Sequence, residues 1–185
     1  KPKSGSIIES SESGSYHIEN SCGKNEKFDA ICWAESNPTE YDRSRPVAKL
    51  IVGTKTCTAW RAGPDNRMFT NNHCMLDKNE ASRAEVWFNY ESSVCGGIET
   101  EQVVKVPVDK LLSTDYTLDY SLFSVNNFGS IESFGNLGIE TRDVVQGEGI
   151  YIPQHSSGLP KQLSIESDMD VDCLCQIADN NLNGR

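Results

Sequence analysis

Histidine is scarce in this chain, with three among 185 residues, and long apolar runs are missing. No stretch approaches the roughly 18 consecutive apolar residues that a membrane-spanning helix needs, and no positively charged start leads into an apolar signal segment. A soluble, already processed chain with no membrane partner is therefore expected. Basic charge is also short: 17 Lys and Arg stand against 27 Asp and Glu, for a formal net charge of -10. Nucleic acid and anionic lipid both demand a basic patch, so neither is expected as a partner, while cationic substrates are mildly favoured. No stretch keeps helical periodicity for three turns. Cys-x-x-Cys knuckles and clustered histidines are absent too, which removes the usual signature of a structural zinc site. No metal or organic cofactor is expected.

Cysteine, by contrast, is plentiful. Cys22, Cys32, Cys57, Cys74, Cys95, Cys173 and Cys175 read as a disulfide framework made in an oxidising compartment, so a secreted, extracellular protein is expected. The odd count leaves at least one cysteine without a partner inside this chain.

Residues 1–21 are polar and read as an extended arm lying on the surface. From about Val47 the texture changes to short apolar or alternating runs separated by turn residues. The runs are Ala48 to Val52, Thr56 to Trp60, Arg67 to Thr70, Ala84 to Tyr90, Val103 to Val106 and Tyr120 to Val125, then Val144 to Ile152. Weaker ones lie near Leu163 to Ile165 and Val171 to Ile177, and Leu76 to Arg83 is the one candidate for a short helical turn. Such spacing indicates an all-β protein. Six runs suffice for one small closed barrel within 22–143, which includes a connecting segment. Residues 144–185 hold too few strands to close a second barrel, and an open sheet would expose its edges. A second barrel only begun in this chain, and completed by strands on another, is expected.

The chemistry concentrates in Met68-Phe69-Thr70-Asn71-Asn72-His73-Cys74. Here a strand-like run ends in a histidine next to a cysteine, with Cys57 one hairpin upstream across the Gly63-Pro64-Asp65-Asn66 turn. A general base must be held rigid, and a Cys57 to Cys74 bond closing that hairpin would hold it. It would contribute on the order of 3 kcal/mol through the entropy of the closed loop. His17 and His155 have no such setting and read as ordinary surface or core residues.

Downstream, Asp119 opens the apolar run Tyr120-Ser121-Leu122-Phe123-Ser124-Val125. An acid there is costly to bury unless paired, and the histidine is its natural partner. In triad chemistry such an acid accepts from one imidazole nitrogen and stabilises the imidazolium. Asp115 opens a near copy, Asp115-Tyr116-Thr117-Leu118, and stays open as the alternative; the longer strand favours Asp119.

Together these motifs resemble the trypsin-like, chymotrypsin-fold serine proteases, and most of all the bacterial lysyl endopeptidase branch. Thr70-Asn71-Asn72-His73-Cys74 is similar to the family's Thr-Ala-x-His-Cys, with polar Asn71 where the family prefers a small residue. Trp87-Phe88-Asn89-Tyr90 followed by Cys95 resembles the branch's Trp-x-Asn-Tyr strand. Asp119 to Phe123 with Asn126-Asn127 resembles its aspartate strand, and His155 to Lys161 its histidine-to-lysine turn. The resemblance spans roughly residues 14–185. It implies a two-barrel fold, His73 as general base and Asp119 as its orienting acid. It also implies disulfides Cys57 to Cys74 and Cys32 to Cys95, with Cys22 reaching the C-terminal region, and cleavage after basic residues.

The family's serine loop, Gly-Asp-Ser-Gly or Gly-Ser-Ser-Gly-Ser-Pro, is missing. Ser157, in Ser156-Ser157-Gly158-Leu159-Pro160, is the only local imitation. It comes too early for a second barrel and coincides with the family's histidine turn. The run Asp179-Asn180-Asn181-Leu182-Asn183-Gly184-Arg185 ends as a nick by a trypsin-like enzyme would leave it. Cys173 and Cys175 are too close to bond each other easily. The expected partner is therefore the C-terminal chain of the same protease, disulfide-linked through Cys22 and Cys173 or Cys175 and carrying the serine. A protein or peptide substrate is the other partner expected. Two further readings stand beside this one: a catalytically inactive protease homologue acting as a secreted binding module, and a small disulfide-rich adhesion domain.

Overall fold

Alternation of apolar and polar residues builds the main body of the chain. In the strand Ala84–Phe88, the side chains of Ala84, Val86 and Phe88 are buried while Glu85 and Trp87 between them are half-buried. That period of two sends successive side chains to opposite faces. The computed structural model describes residues 27–167 and 174–179. The arm at 1–21, Cys22, Cys173 and the run from Asn180 to Arg185 lie outside the described residues.

Six strands close into an antiparallel barrel. They are β2 (Val47–Val52), β3 (Lys55–Arg61), β4 (Met68–Thr70), β5 (Ala84–Phe88), β6 (Val104–Asp115) and β7 (Tyr120–Val125), in the order β2-β3-β4-β7-β6-β5. Leu50, Met68, Met75, Val86, Phe88, Val106, Phe123 and Ile131 fill its interior at 0–1% exposure. A Phe123→Ala truncation there removes a ring with no solvent to fill the gap, at a cost of about 3–5 kcal/mol.

The barrel runs match the sequence reading except at β6, which continues nine residues beyond Val106 to Asp115. Its polar second half is templated by β7, with register shifts between Val108 and Lys110 and between Leu111 and Ser113. These irregularities bend the strand so that one element pairs with β5 and then with β7.

A second sheet has the order β1-β9-β8, from β1 (Phe28–Asp29), β8 (Ile152–Gln154) and β9 (Gln162–Ser164). Ala30, Trp33, Leu163 and Ile165 form its own small core. A strand over Val144 to Ile152 does not form. Gly147 adopts φ +81° and a turn closes from Glu148 N to Val145 O at 3.0 Å, so the ladder with β9 starts only at Ile152, and the residues before it make only an isolated bridge at Gly149. Of the run expected at Val171 to Ile177, Leu174 and Gln176 make single bridges to Glu166 and Gly149.

Two short α-helices and five 3-10 turns complete the described residues. The first, α1 (Pro38–Arg43), has proline at its start, where a missing N–H costs nothing. The second, α2 (Lys78–Ala81), falls inside the helical turn expected at Leu76 to Arg83. Asp77 caps it by accepting from the amides of Asn79 and Glu80 at 2.8 and 2.9 Å.

Candidate active site

β4 ends at Thr70, and the chain turns at once into a 3-10 turn over Asn72–Cys74. The turn is closed by Cys74 N donating to Asn71 O at 3.1 Å. Cys74, 3% exposed, is bonded to Cys57 on β3 across a separation of 17 residues. His73 therefore leaves the barrel from a segment anchored on both sides. Beneath it, Asn72 donates to the Thr114 hydroxyl at 2.7 Å, Thr114 meets Ser121 at 2.7 Å, and Ser121 donates to Met75 O at 2.7 Å. This polar chain ties β6 and β7 to the turn. On the outer side, Lys55 is paired with Glu80 at 2.8 Å, and Glu80 accepts from the Leu76 amide at 2.7 Å.

Asp119 stands at the start of β7 in a left-handed conformation, φ +49°, one of the few that aspartate tolerates better than most residues. Its carboxylate meets His73 twice. The ring Nδ1 lies 2.8 Å from Oδ2 and 3.0 Å from Oδ1, and the His73 backbone amide donates to Oδ1 at 3.1 Å. The Asn71 side-chain amide donates to Oδ2 at 3.1 Å. Partial burial works to raise the Asp119 pKa, but the His73 amide, the His73 ring and Asn71 together outweigh it and hold the carboxyl below its usual range. An ionised acid on Nδ1 makes that nitrogen the donor and leaves Nε2 as the basic one. The His73 side chain is 68% exposed, so Nε2 can receive a proton from a group arriving from outside.

Of the two aspartates left open by the sequence, the structure brings Asp119 to His73. Asp115 instead accepts from Leu118 N at 2.8 Å and sits opposite Tyr120, holding the β6–β7 turn. Cys32 and Cys95 are bonded across 63 residues, fastening the loop after β5 to the segment after β1. Cys175 is half-buried. Among the described residues, no serine hydroxyl is hydrogen-bonded to the His73 ring. Ser157 lies exposed in the 3-10 turn Ser156–Gly158, where φ is +52°. Among the described residues there is also no cluster of three or more His, Cys, Asp or Glu side chains that could hold a metal.

His155 is a core residue at 2% exposure. Its ring stacks on Tyr90 with centroids 6.0 Å apart, and Nδ1 lies 3.1 Å from Leu159 O. Burial, then the nearby Lys161, pushes its pKa down to about 3. It is neutral and structural. Sequence reasoning did not foresee the role of Asn71 as a donor to Asp119; its polar character at a position where the resemblance favours a small residue was the available signal.

No protein-family model matches the chain. By sequence it is 29% identical over 158 residues to Secreted RxLR effector protein 73 of Plasmopara viticola, across 80% of this chain and 38% of that protein. The chain thus spans well under half the length of that relative. Among solved structures it is similar to the Rv3671c protease of M. tuberculosis in an inactive form, at 14% identity. That match covers 71% of this chain and 55% of the other, with a TM-score of 0.50. A Glu endopeptidase in complex with MPD is similar over 65% of this chain and 60% of its own, at 18% identity and a TM-score of 0.45. The fold is chymotrypsin-like, shared with serine proteases. The relative named as secreted and the two disulfides fit an oxidising compartment.

Proposed function

We propose that this chain is the base-and-acid half of a secreted serine endopeptidase of the lysyl endopeptidase kind, which hydrolyses peptide bonds through an acyl-enzyme. The observation that carries the reading is the 2.8 Å contact of His73 Nδ1 with Asp119 on an exposed ring. In this role Nε2 takes the proton of a serine hydroxyl as its oxygen attacks the scissile carbonyl. The same proton passes to the leaving amine, and a water, deprotonated in its turn by Nε2, releases the acid product. Asp119 orients the ring and stabilises the imidazolium.

The serine resides on a C-terminal companion chain, joined through Cys22 and Cys173 or Cys175. A relative more than twice as long as the matched region supports a further segment of this kind. Cleavage after basic residues follows from the family resemblance, and the net charge of -10 favours cationic substrates through long-range attraction.

Intact mass before and after reduction tests the two-chain assembly: a second polypeptide released on reduction is expected, and a single 20.5 kDa species in both conditions refutes it. Labelling of the assembled protein by a serine-directed fluorophosphonate tests the chemistry. The second reading, an inactive homologue serving as a secreted binding module, is favoured by the relative's description as an effector. It predicts no labelling.

A further inference from the structure

Asn71 stands two residues before the histidine and is half-buried. Its backbone is committed to the 3-10 turn, with Asn71 O accepting from Cys74 N at 3.1 Å. Its side chain crosses from β4 to the start of β7, where the Nδ2 group meets Asp119 Oδ2 at 3.1 Å and Asp119 O at 3.4 Å. The opposite amide orientation would set oxygen against oxygen. One side chain thus touches both the carboxylate and the carbonyl of a residue held at φ +49°.

A carboxylate offers about four acceptor positions. On Asp119 the His73 amide takes one, on Oδ1, and the single Nδ1 proton can point at only one oxygen at a time. Without a further protein donor, Oδ2 would depend on that shared proton and on solvent, its side chain being 43% exposed, and the carboxylate could turn away from the ring. We propose that Asn71 is a positioning residue, supplying the donor that locks the Asp119 carboxylate against His73 with groups of the first barrel alone. The acid and the base are then assembled before any nucleophile-bearing partner arrives, a role that builds on the serine endopeptidase reading. The charged and titratable groups around Asp119 are few. His73 is in contact, Asp115 holds the other end of the hairpin turn, and Lys55 reaches the His73 carbonyl at 3.4 Å while paired with Glu80.

The test is the carboxyl-carbon NMR titration of Asp119 in the intact protein, comparing wild type with Asn71→Ala and Asn71→Leu. Leucine keeps the Cγ-branched outline of asparagine, with bulkier methyl groups and no donor, and alanine removes both bulk and donor, so the two together separate the hydrogen bond from packing. Both variants should weaken the acid about three- to tenfold, raising its midpoint by roughly half to one pH unit. Midpoints within about 0.2 pH unit of wild type in both variants, or a wild-type midpoint in the leucine variant alone, overturn the proposal. Fluorophosphonate labelling of the wild type is read in parallel. Its absence sinks the protease reading without moving the Asp119 titration, and an unmoved titration with labelling intact sinks only the role of Asn71.

Discussion

Replacing His155 by phenylalanine is expected to make the protein more resistant to acid. The ring is 2% exposed, Nε2 has no partner among the described residues, and Lys49 and Lys161 stand close by. Protonation would place a cation among cations in a desolvated site, which is why the pKa falls to about 3. The sign follows from linkage: a group whose folded pKa is depressed stabilises the fold above its unfolded pKa of roughly 6.5, and that contribution drains away as pH falls toward the folded value. The slope is about 1.4 kcal/mol per pH unit, so roughly 3 kcal/mol is lost between pH 7 and pH 4 from this residue alone. Against a total stability of about 5–15 kcal/mol, that is large. His155→Phe keeps the stack on Tyr90 and removes the orphaned Nε2, while losing the bond to Leu159 O; at pH 7 it should lie within about 1 kcal/mol of wild type. Urea midpoints at pH 7, 6, 5 and 4, read by tryptophan fluorescence, should show the variant overtaking wild type on acidification. Parallel pH profiles would refute the reasoning.

Glu91→Gln leaves Lys161, 2% exposed and 3.6 Å from the Glu91 carboxylate, without its counter-charge. Denaturant melts should show a loss of about 3–5 kcal/mol, whereas Glu91→Gln combined with Lys161→Met should return to within about 1 kcal/mol of wild type. Removing both members of the Cys57 and Cys74 pair as serines should lower stability by roughly 3 kcal/mol, from the entropy of a loop spanning 17 residues; a change below about 1 kcal/mol would mean the hairpin is already ordered when unfolded. In the assembled protein, Asp119→Asn should slow fluorophosphonate labelling on the order of a thousandfold or more, since the ring loses its tautomer and its counter-charge. Labelling at the wild-type rate would remove Asp119 from the proposed mechanism.

The site is built from short-range geometry stacked on one long-range closure. His73 is set by local means, a strand end, a 3-10 turn and a disulfide to the neighbouring strand. Asp119 is 46 residues away and reaches it only because β4 and β7 are adjacent in the barrel, with Thr70 opposite Ser121. An exposed dyad of this kind is worth little to the stability of the fold, because solvent screens it. Little of the fold's stability therefore rests on this pair.

Local chemistry was enough to read the barrel strands, because the period-two alternation in Ala84–Phe88 and the Gly63-Pro64 turn are properties of neighbouring residues. It was enough, too, to mark the His73–Cys74 turn and to narrow the carboxylate paired with His73 to two candidates. Choosing between Asp115 and Asp119 needed the β6–β7 register, since residues four apart in a hairpin differ only in which side of the turn they hold. The second half of β6 was illegible for the same reason: its polar residues become strand only because β7 offers them partners. So were Phe28–Asp29, two residues too short to announce a strand until Gln162 and Leu163 pair with them, and the Asn71 amide, whose partner lies 48 residues downstream. What a chain's own neighbours dictate can be read along it. What depends on a partner brought across the barrel cannot, and at this site both the choice of acid and the donor that steadies it depend on that closure.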